Sequence, residues 1–227
     1  MKNLYLVTVT CLFLCFVFPQ KLNVNEKDVE VNEHVSVDTI EPKRDTLKMD
    51  TLYEGGRDSY MHFRPYNPRP DTVYMKLVLD DTSYSPPIGG KKTSGYGWRW
   101  GRMHEGIDMG YNNRDTALST FDGVVRWSRY GYNGGYGNLV VMRHPNGLET
   151  YYAHFRKLLV EEGDTIESGT PIGIIGSTGR SGGPHLHYEM RFLGASINPE
   201  LLINFEDFTL RYDSVVLIEE HGRYILK

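Results

Sequence analysis

The chain has 227 residues, of which 40% are hydrophobic and 24 are glycine, and its formal net charge is −4. That size fits one domain with appendages and a packed core. The charge balance, and the lack of a glycine loop running into Lys-Ser or Lys-Thr, exclude the usual signatures of nucleic-acid and nucleotide binding.

Leu4 to Phe18 form a mostly apolar run behind Lys2. At about fifteen residues it is shorter than the ~20 a membrane span needs, but it suits the core of a secretory signal. A charged segment follows at once, which argues against a buried helix. Phe16-Val17-Phe18-Pro19-Gln20 lacks the small residues of a cleavage site. Residues 1–19 therefore read either as a signal peptide or as an uncleaved signal anchor, attaching the chain to a membrane through residues 4–18. Both readings predict export, to the periplasm or cell envelope. Cys11 and Cys15 lie within this run with no small residues before them, which argues against lipidation. The rest of the chain has no cysteine for disulfides or a thiolate metal site.

Residues 20–70 read as a linker, partly disordered. Ten acids and six bases fall within residues 20–60, so the whole charge imbalance lies there. Val29, Val31, Val35 and Val37 alternate loosely and allow a short strand, but the composition is mainly that of a tether. Tyr74 to Leu79 are predicted as a strand, and Pro86-Pro87 marks the entry to the motif-bearing region. The main domain is placed at residues 71–205, with a motif core at 86–203. Residues 206–227 form a C-terminal extension.

Strand patterns dominate that domain. Gly123–Ser128 alternates after an Asp-Gly turn. Asn138–His144 runs into Pro145-Asn146-Gly147, and Leu148–His154 returns. Asn-Gly between two such runs predicts a hairpin, with His154 near the end of the returning strand. Pro171–Gly176 alternates glycine with isoleucine, giving one bulky face and one bare one. Helical turns are expected only near Arg156-Lys157-Leu158 and Pro199–Leu202. The fold class is mainly β, an antiparallel sheet domain.

The chemistry concentrates in two short motifs. His185 and His187 in Pro-His-Leu-His-Tyr fall on one face of a strand. His104 and Asp108, four apart in His-Glu-Gly-Ile-Asp, share one face of a strand or helix, and Gly106 and Ile107 argue against helix. Two imidazoles and a carboxylate can supply three zinc ligands and leave a fourth position for water, the composition of a catalytic site. By the same parity Glu189 reads either as an acceptor for a histidine N–H or as a surface glutamate. His144 precedes a turn and is expected to be exposed. His34, His62 and His221 receive no role. Tyr96, Trp98, Trp100 and Tyr136 are candidates for stacking against substrate or for packing. The glycine-rich loops Tyr130–Asn138 and Thr178–Pro184 read as groove walls or as simple connections.

Ser94-Gly-Tyr-Gly-Trp-Arg99, His104-Glu-Gly-Ile-Asp108, Gly135-Tyr-Gly-Asn138, Tyr152-Ala-His154, Gly176-Ser-Thr-Gly-Arg-Ser181 and Pro184-His-Leu-His-Tyr-Glu189 follow one another in the order seen in the M23 metallopeptidases. The region resembles the catalytic domain of these lysostaphin- and LytM-like peptidoglycan endopeptidases. The resemblance implies a compact β fold with the site in a groove. It implies one Zn²⁺ per chain, held by His104, Asp108 and His187, with His154 and His185 as catalytic histidines that are not ligands. It does not divide the roles of those two. Tyr96, Trp98 and Tyr136 are the candidate substrate contacts. The implied activity is zinc-dependent hydrolysis of peptide cross-links in peptidoglycan during wall remodelling. The alternative is a non-catalytic module that binds wall peptide or activates another hydrolase. All five site residues are intact, which favours the enzyme. Nothing local separates stem-peptide cross-links bearing D-amino acids from glycine bridges.

Overall fold

The computed structural model describes residues 53, 59–63, 70–78, 83–110 and 116–227, all within one compact unit of the chain. The apolar run at residues 4–18 and the valine-rich stretch at residues 29–37 lie outside the described residues. Among the described residues, no helix is long and apolar enough to cross a membrane.

Antiparallel strands make up the fold. The central sheet runs, in spatial order, Thr165–Ile166, Gly123–Arg129, Asn138–Arg143, Leu148–Leu158, Leu186–Phe192, Ile107–Met109 and Lys92–Ser94. Pro171–Ile175 pairs with the far end of Leu148–Leu158 and with Thr116–Leu118, and Ala195–Ile197 pairs with Leu186–Phe192. The predicted hairpin forms: Arg143 pairs with Glu149 and Met142 with Thr150 across the Pro-Asn-Gly turn.

Both faces of this sheet are covered, and period-two alternation sorts the side chains between them. Val140, Met142, Tyr152, Tyr188 and Met190 join the larger core on one face. Leu139, Val141, Tyr151 and Ala153 form a second cluster with Trp127 on the other, and Met61 and Tyr136 pack against it. The bare face of Pro171–Ile175 is where Phe155 lies. A Cβ on Gly173 would stand 2.7 Å from that ring, so the glycine is the space the phenyl group needs. Burying a side chain of that size contributes about 1.5–3 kcal/mol.

A second sheet pairs Thr72–Lys76 with Ser214–Glu220, and the latter with Arg223–Leu226. Val73, Met75, Val215, Leu217 and Tyr224 carry its buried face into the larger core. Residues ahead of the sheet also dock. The Tyr53 hydroxyl donates to the Gly147 carbonyl at 2.6 Å, and Phe63 is buried against the Tyr53 ring.

Three sequence expectations need correction. Arg156-Lys157-Leu158 is not a helical turn but the end of the Leu148–Leu158 strand, because Lys157 and Leu158 pair with Ile174 and Gly173. The strand expected at Tyr74–Leu79 begins earlier and ends earlier, at Thr72–Lys76, where its partner strand gives out. His144 is buried, not exposed, since the hairpin turn folds it under Phe121. The turn at Pro199–Leu201 forms as a short 3₁₀ helix, capped by the Asn198 side chain.

Candidate metal centre

Arg102–His104 and Ile107–Met109 are short strands joined through Glu105 and Gly106. The first pairs with Gly97–Arg99 and the second with Leu186–Phe192. Register sets Asp108 directly opposite His187. Gly106 makes the close approach feasible: a Cβ there would lie 2.4 Å from the Tyr188 carbonyl oxygen and 2.7 Å from Glu189 Cγ. The glycine of the first motif is thus what lets it lie flat against the second.

Three atoms converge as a result. His104 Nε2 is 3.1 Å from Asp108 Oδ1 and 3.1 Å from His187 Nδ1, and His187 Nδ1 is 2.8 Å from Asp108 Oδ1. All three residues are buried. The outer nitrogen of each imidazole is already committed. His104 Nδ1 donates to the Gly95 carbonyl at 2.6 Å, and His187 Nε2 donates to Glu189 Oε1 at 2.8 Å. Those acceptors place the ring protons on the outside. Two imidazole lone pairs and a carboxylate oxygen therefore face one point. Tetrahedral zinc with bonds of ~2.0–2.1 Å sets its ligand atoms about 3.3 Å apart, close to the spacing found. The donor set and its geometry fit a zinc ion.

The partners behind the ligands are charged and buried. Glu189 Oε1 also accepts from the Tyr136 hydroxyl at 2.7 Å, and Arg191 Nε donates to Glu189 Oε2 at 2.6 Å. Burial alone would raise the Glu189 carboxyl, but Arg191 and His187 outweigh it and hold it well below the usual carboxylate range. Arg191 also pairs with Glu105. Arg99 donates to Asp108 Oδ2 at 3.0 Å, fixing that carboxylate from behind.

His154 and His185 stand beside this triad. Their ring centroids are 4.7 Å apart, and His154 is 5.8 Å from His187. Leu148–Leu158 changes register at His154, whose φ of 66° is left-handed. Its amide donates to the Tyr136 carbonyl instead of to the ladder, which turns the side chain into the groove. Nδ1 of His154 donates to the Thr178 carbonyl, and Nδ1 of His185 to the Gly183 carbonyl, each at 2.8 Å. Both rings therefore present a bare Nε2 inward, and that of His185 is 3.5 Å from Asp108 Oδ1. Burial, with His187 and His185 close by, lowers the His154 pKa to about 4.

A groove of about 380 Å³ opens over these residues. Tyr136 lines it, as do both glycine-rich loops through Gly134, Gly135, Arg180 and Gly182. Tyr96 instead tucks its hydroxyl against Ser196, while Trp98 and Trp100 are exposed on the hairpin before His104. Glu189 is buried, not at the surface. The sequence reading gave no role to Arg99, Arg191, Thr178 or His62. His62 lies against the rings of Tyr136 and Tyr151, with centroids 5.7 Å from each. Parity along Leu186–Phe192 could have found Arg191, two positions beyond Glu189. Arg99 and Thr178 lie inside the sequence motifs, but nothing local marks their partners, and His62 lies outside every motif.

Residues 102–199 match the family model described as Peptidase family M23. The match marks this segment as a peptidase M23 domain. The M23 segment is 47% identical over 98 residues to the DD-carboxypeptidase/endopeptidase Mpg of Neisseria meningitidis, covering 43% of this chain and 22% of that protein. It is 41% identical over 96 residues to the peptidoglycan DD-endopeptidase ShyA of Vibrio cholerae, covering 42% of this chain and 22% of that protein. The chain thus spans about a fifth of the length of these curated relatives. Among solved structures, the catalytic domain of lysostaphin from Staphylococcus simulans is 29% identical, covering 49% of this chain and 90% of that domain with a TM-score of 0.45.

Proposed function

We propose that this chain is a zinc metalloendopeptidase that hydrolyses peptide cross-links of peptidoglycan outside the cytoplasm. The observation that carries the reading is the convergence of His104 Nε2, His187 Nδ1 and Asp108 Oδ1 within 2.8–3.1 Å, with the outer ring nitrogens tied off. One zinc per chain is held by these three residues. When bound, zinc supplies Lewis acidity, polarising the scissile carbonyl and making water acidic enough to attack it near neutral pH.

The chain's own residues supply the rest. The bare Nε2 atoms of His154 and His185 take the proton of the attacking water and return one to the leaving amine, since the amine cannot depart as an anion. Their N–H donations to the Thr178 and Gly183 carbonyls fix tautomer and orientation beforehand. Glu189 and Arg99 hold the ligand side chains in place. The groove seats an extended peptide, with Tyr136 in one wall.

The relatives named DD-endopeptidases support cleavage of stem-peptide cross-links. The intact set of five residues supports an enzyme over a binding or activating module. Residues 1–19 direct export, as a cleaved signal or as an anchor, and the residues between them and the docked Tyr53 tether the domain. Mass spectrometry of fragments released from sacculi tests the reading. Zinc-dependent release of soluble muropeptides is expected, and no release by the zinc-loaded protein would overturn it.

A further inference from the structure

The groove's charges pair off unevenly. Of the acids that line it, Glu105 is joined to Arg191, Glu189 to His187 and Arg191, and Asp108 to Arg99 and the imidazoles. Two guanidinium groups of the lining remain. Among the described residues, Arg102 meets no carboxylate and the Arg180 side chain reaches only the Tyr132 hydroxyl, at 3.4 Å. Both are exposed.

Neither arginine sits on a loose support. Arg102 opens the strand that ends at the ligand His104 and pairs with Arg99 across a tight turn. The Arg180 amide donates to the Gly135 carbonyl at 2.7 Å. Gly179 before it packs so closely on the opposite loop that a Cβ would fall 2.3 Å from the Gly137 nitrogen. Thr178 is held by the Phe155 carbonyl and the Asn138 amide, each at 2.9 Å. One arginine therefore stands on the His104 side of the groove and the other on the side of His154 and His185.

We infer that the substrate is an acidic peptide, whose free carboxylates near the scissile bond are bound by Arg102 and Arg180. Guanidinium groups recognise carboxylates through paired, charge-assisted hydrogen bonds. An uncharged oligoglycine bridge offers them no partner. The inference rests on the peptidase reading above and specifies its substrate class. It also makes the two arginines specificity determinants distinct from the residues that perform the chemistry.

The test compares three defined peptides with the zinc-loaded full chain: a cross-linked stem peptide with free carboxylates, the same peptide fully amidated, and an oligoglycine. The free acid should be cleaved with kcat/KM at least about 10-fold above the amide, with oligoglycine slowest. Arg180→Ala and Arg102→Ala should each lower kcat/KM on the free acid by about 10- to 100-fold, the range of a charge-assisted hydrogen bond. On the amidated peptide they should change it by less than about twofold. Arg180→Lys should restore part of the loss, because it keeps the charge. Equal cleavage of acid and amide, or equal losses on both in the variants, would overturn the inference and leave the peptidase reading standing. If the unaltered protein cleaved none of the three, the peptidase reading would fail and this inference with it.

Discussion

Glu189 Oε1 accepts from His187 Nε2 at 2.8 Å, on the side of the imidazole away from Asp108. That bond settles which nitrogen of His187 faces the other two ligand atoms. It also joins the site to the groove-lining Tyr136 and the buried Arg191. Glu189→Gln keeps the size of the side chain but removes the charge that makes His187 a strong donor. Zinc affinity should fall by about 10- to 100-fold, measured by competition with a chromophoric chelator. Tyr136→Phe, which removes one hydrogen bond to Glu189, should cost less than Glu189→Gln.

Gly106 gives a second expectation. A methyl group there would stand 2.4 Å from the Tyr188 carbonyl oxygen, in backbone that cannot move aside cheaply. Gly106→Ala should push Ile107–Met109 away from Leu186–Phe192 and part Asp108 from His187. Stability should drop by about 1–3 kcal/mol, as for other overpacked sites, in chemical denaturation of the metal-free protein. Zinc binding should weaken in the same variant. Gly101→Ala is the contrast: its Cβ would meet nothing within 4 Å, so only the strain of its φ of 76° should register.

His154→Ala and His185→Ala should keep stoichiometric zinc yet lose activity by more than about 100-fold, the lower end for general acid–base catalysis. The double variant should lose little more than either single one, because residues acting on one water form a unit. Zinc content measured beside each rate separates loss of chemistry from loss of metal. Near-normal rates in both single variants would defeat the assignment.

His144 sets a pH dependence away from the site. It is fully enclosed, its Nδ1 donating to the Asp122 carbonyl and its Nε2 accepting from the Thr150 hydroxyl, each at 2.8 Å. Burial lowers its pKa to about 4 from an unfolded value near 6.5. The unfolded chain therefore takes up this proton first as pH falls. Its contribution is complete above about pH 6.5 and is lost as pH falls to about 4, a change of about 3 kcal/mol. Unfolding free energy measured across that window should decline, and His144→Asn should decline less steeply.

The sequence showed much of this site and less of its surroundings. His104, Asp108, His154, His185 and His187 were legible because strand parity and turn residues fix local direction, and resemblance supplied their order. Glu189 followed from parity as one of two readings. His144 was misread because local pattern sees the turn after it but not Phe121, which covers it from elsewhere in the chain. Arg99 and His62 escaped for the same reason. Their partners, Asp108 in one case and the rings of Tyr136 and Tyr151 in the other, meet them only in the folded chain. The role of Phe155 in filling the face left bare by Gly173 was likewise invisible as a spacing.

Anomalous scattering at the zinc edge, from crystals of the zinc-loaded protein, tests the central claim most directly. The account predicts one peak per chain, bonded to His104 Nε2, Asp108 Oδ1 and His187 Nδ1 at about 2.0–2.2 Å, and no peak at that position in His187→Ala. A peak ligated by His154 or His185, or one that persists in His187→Ala, would contradict it.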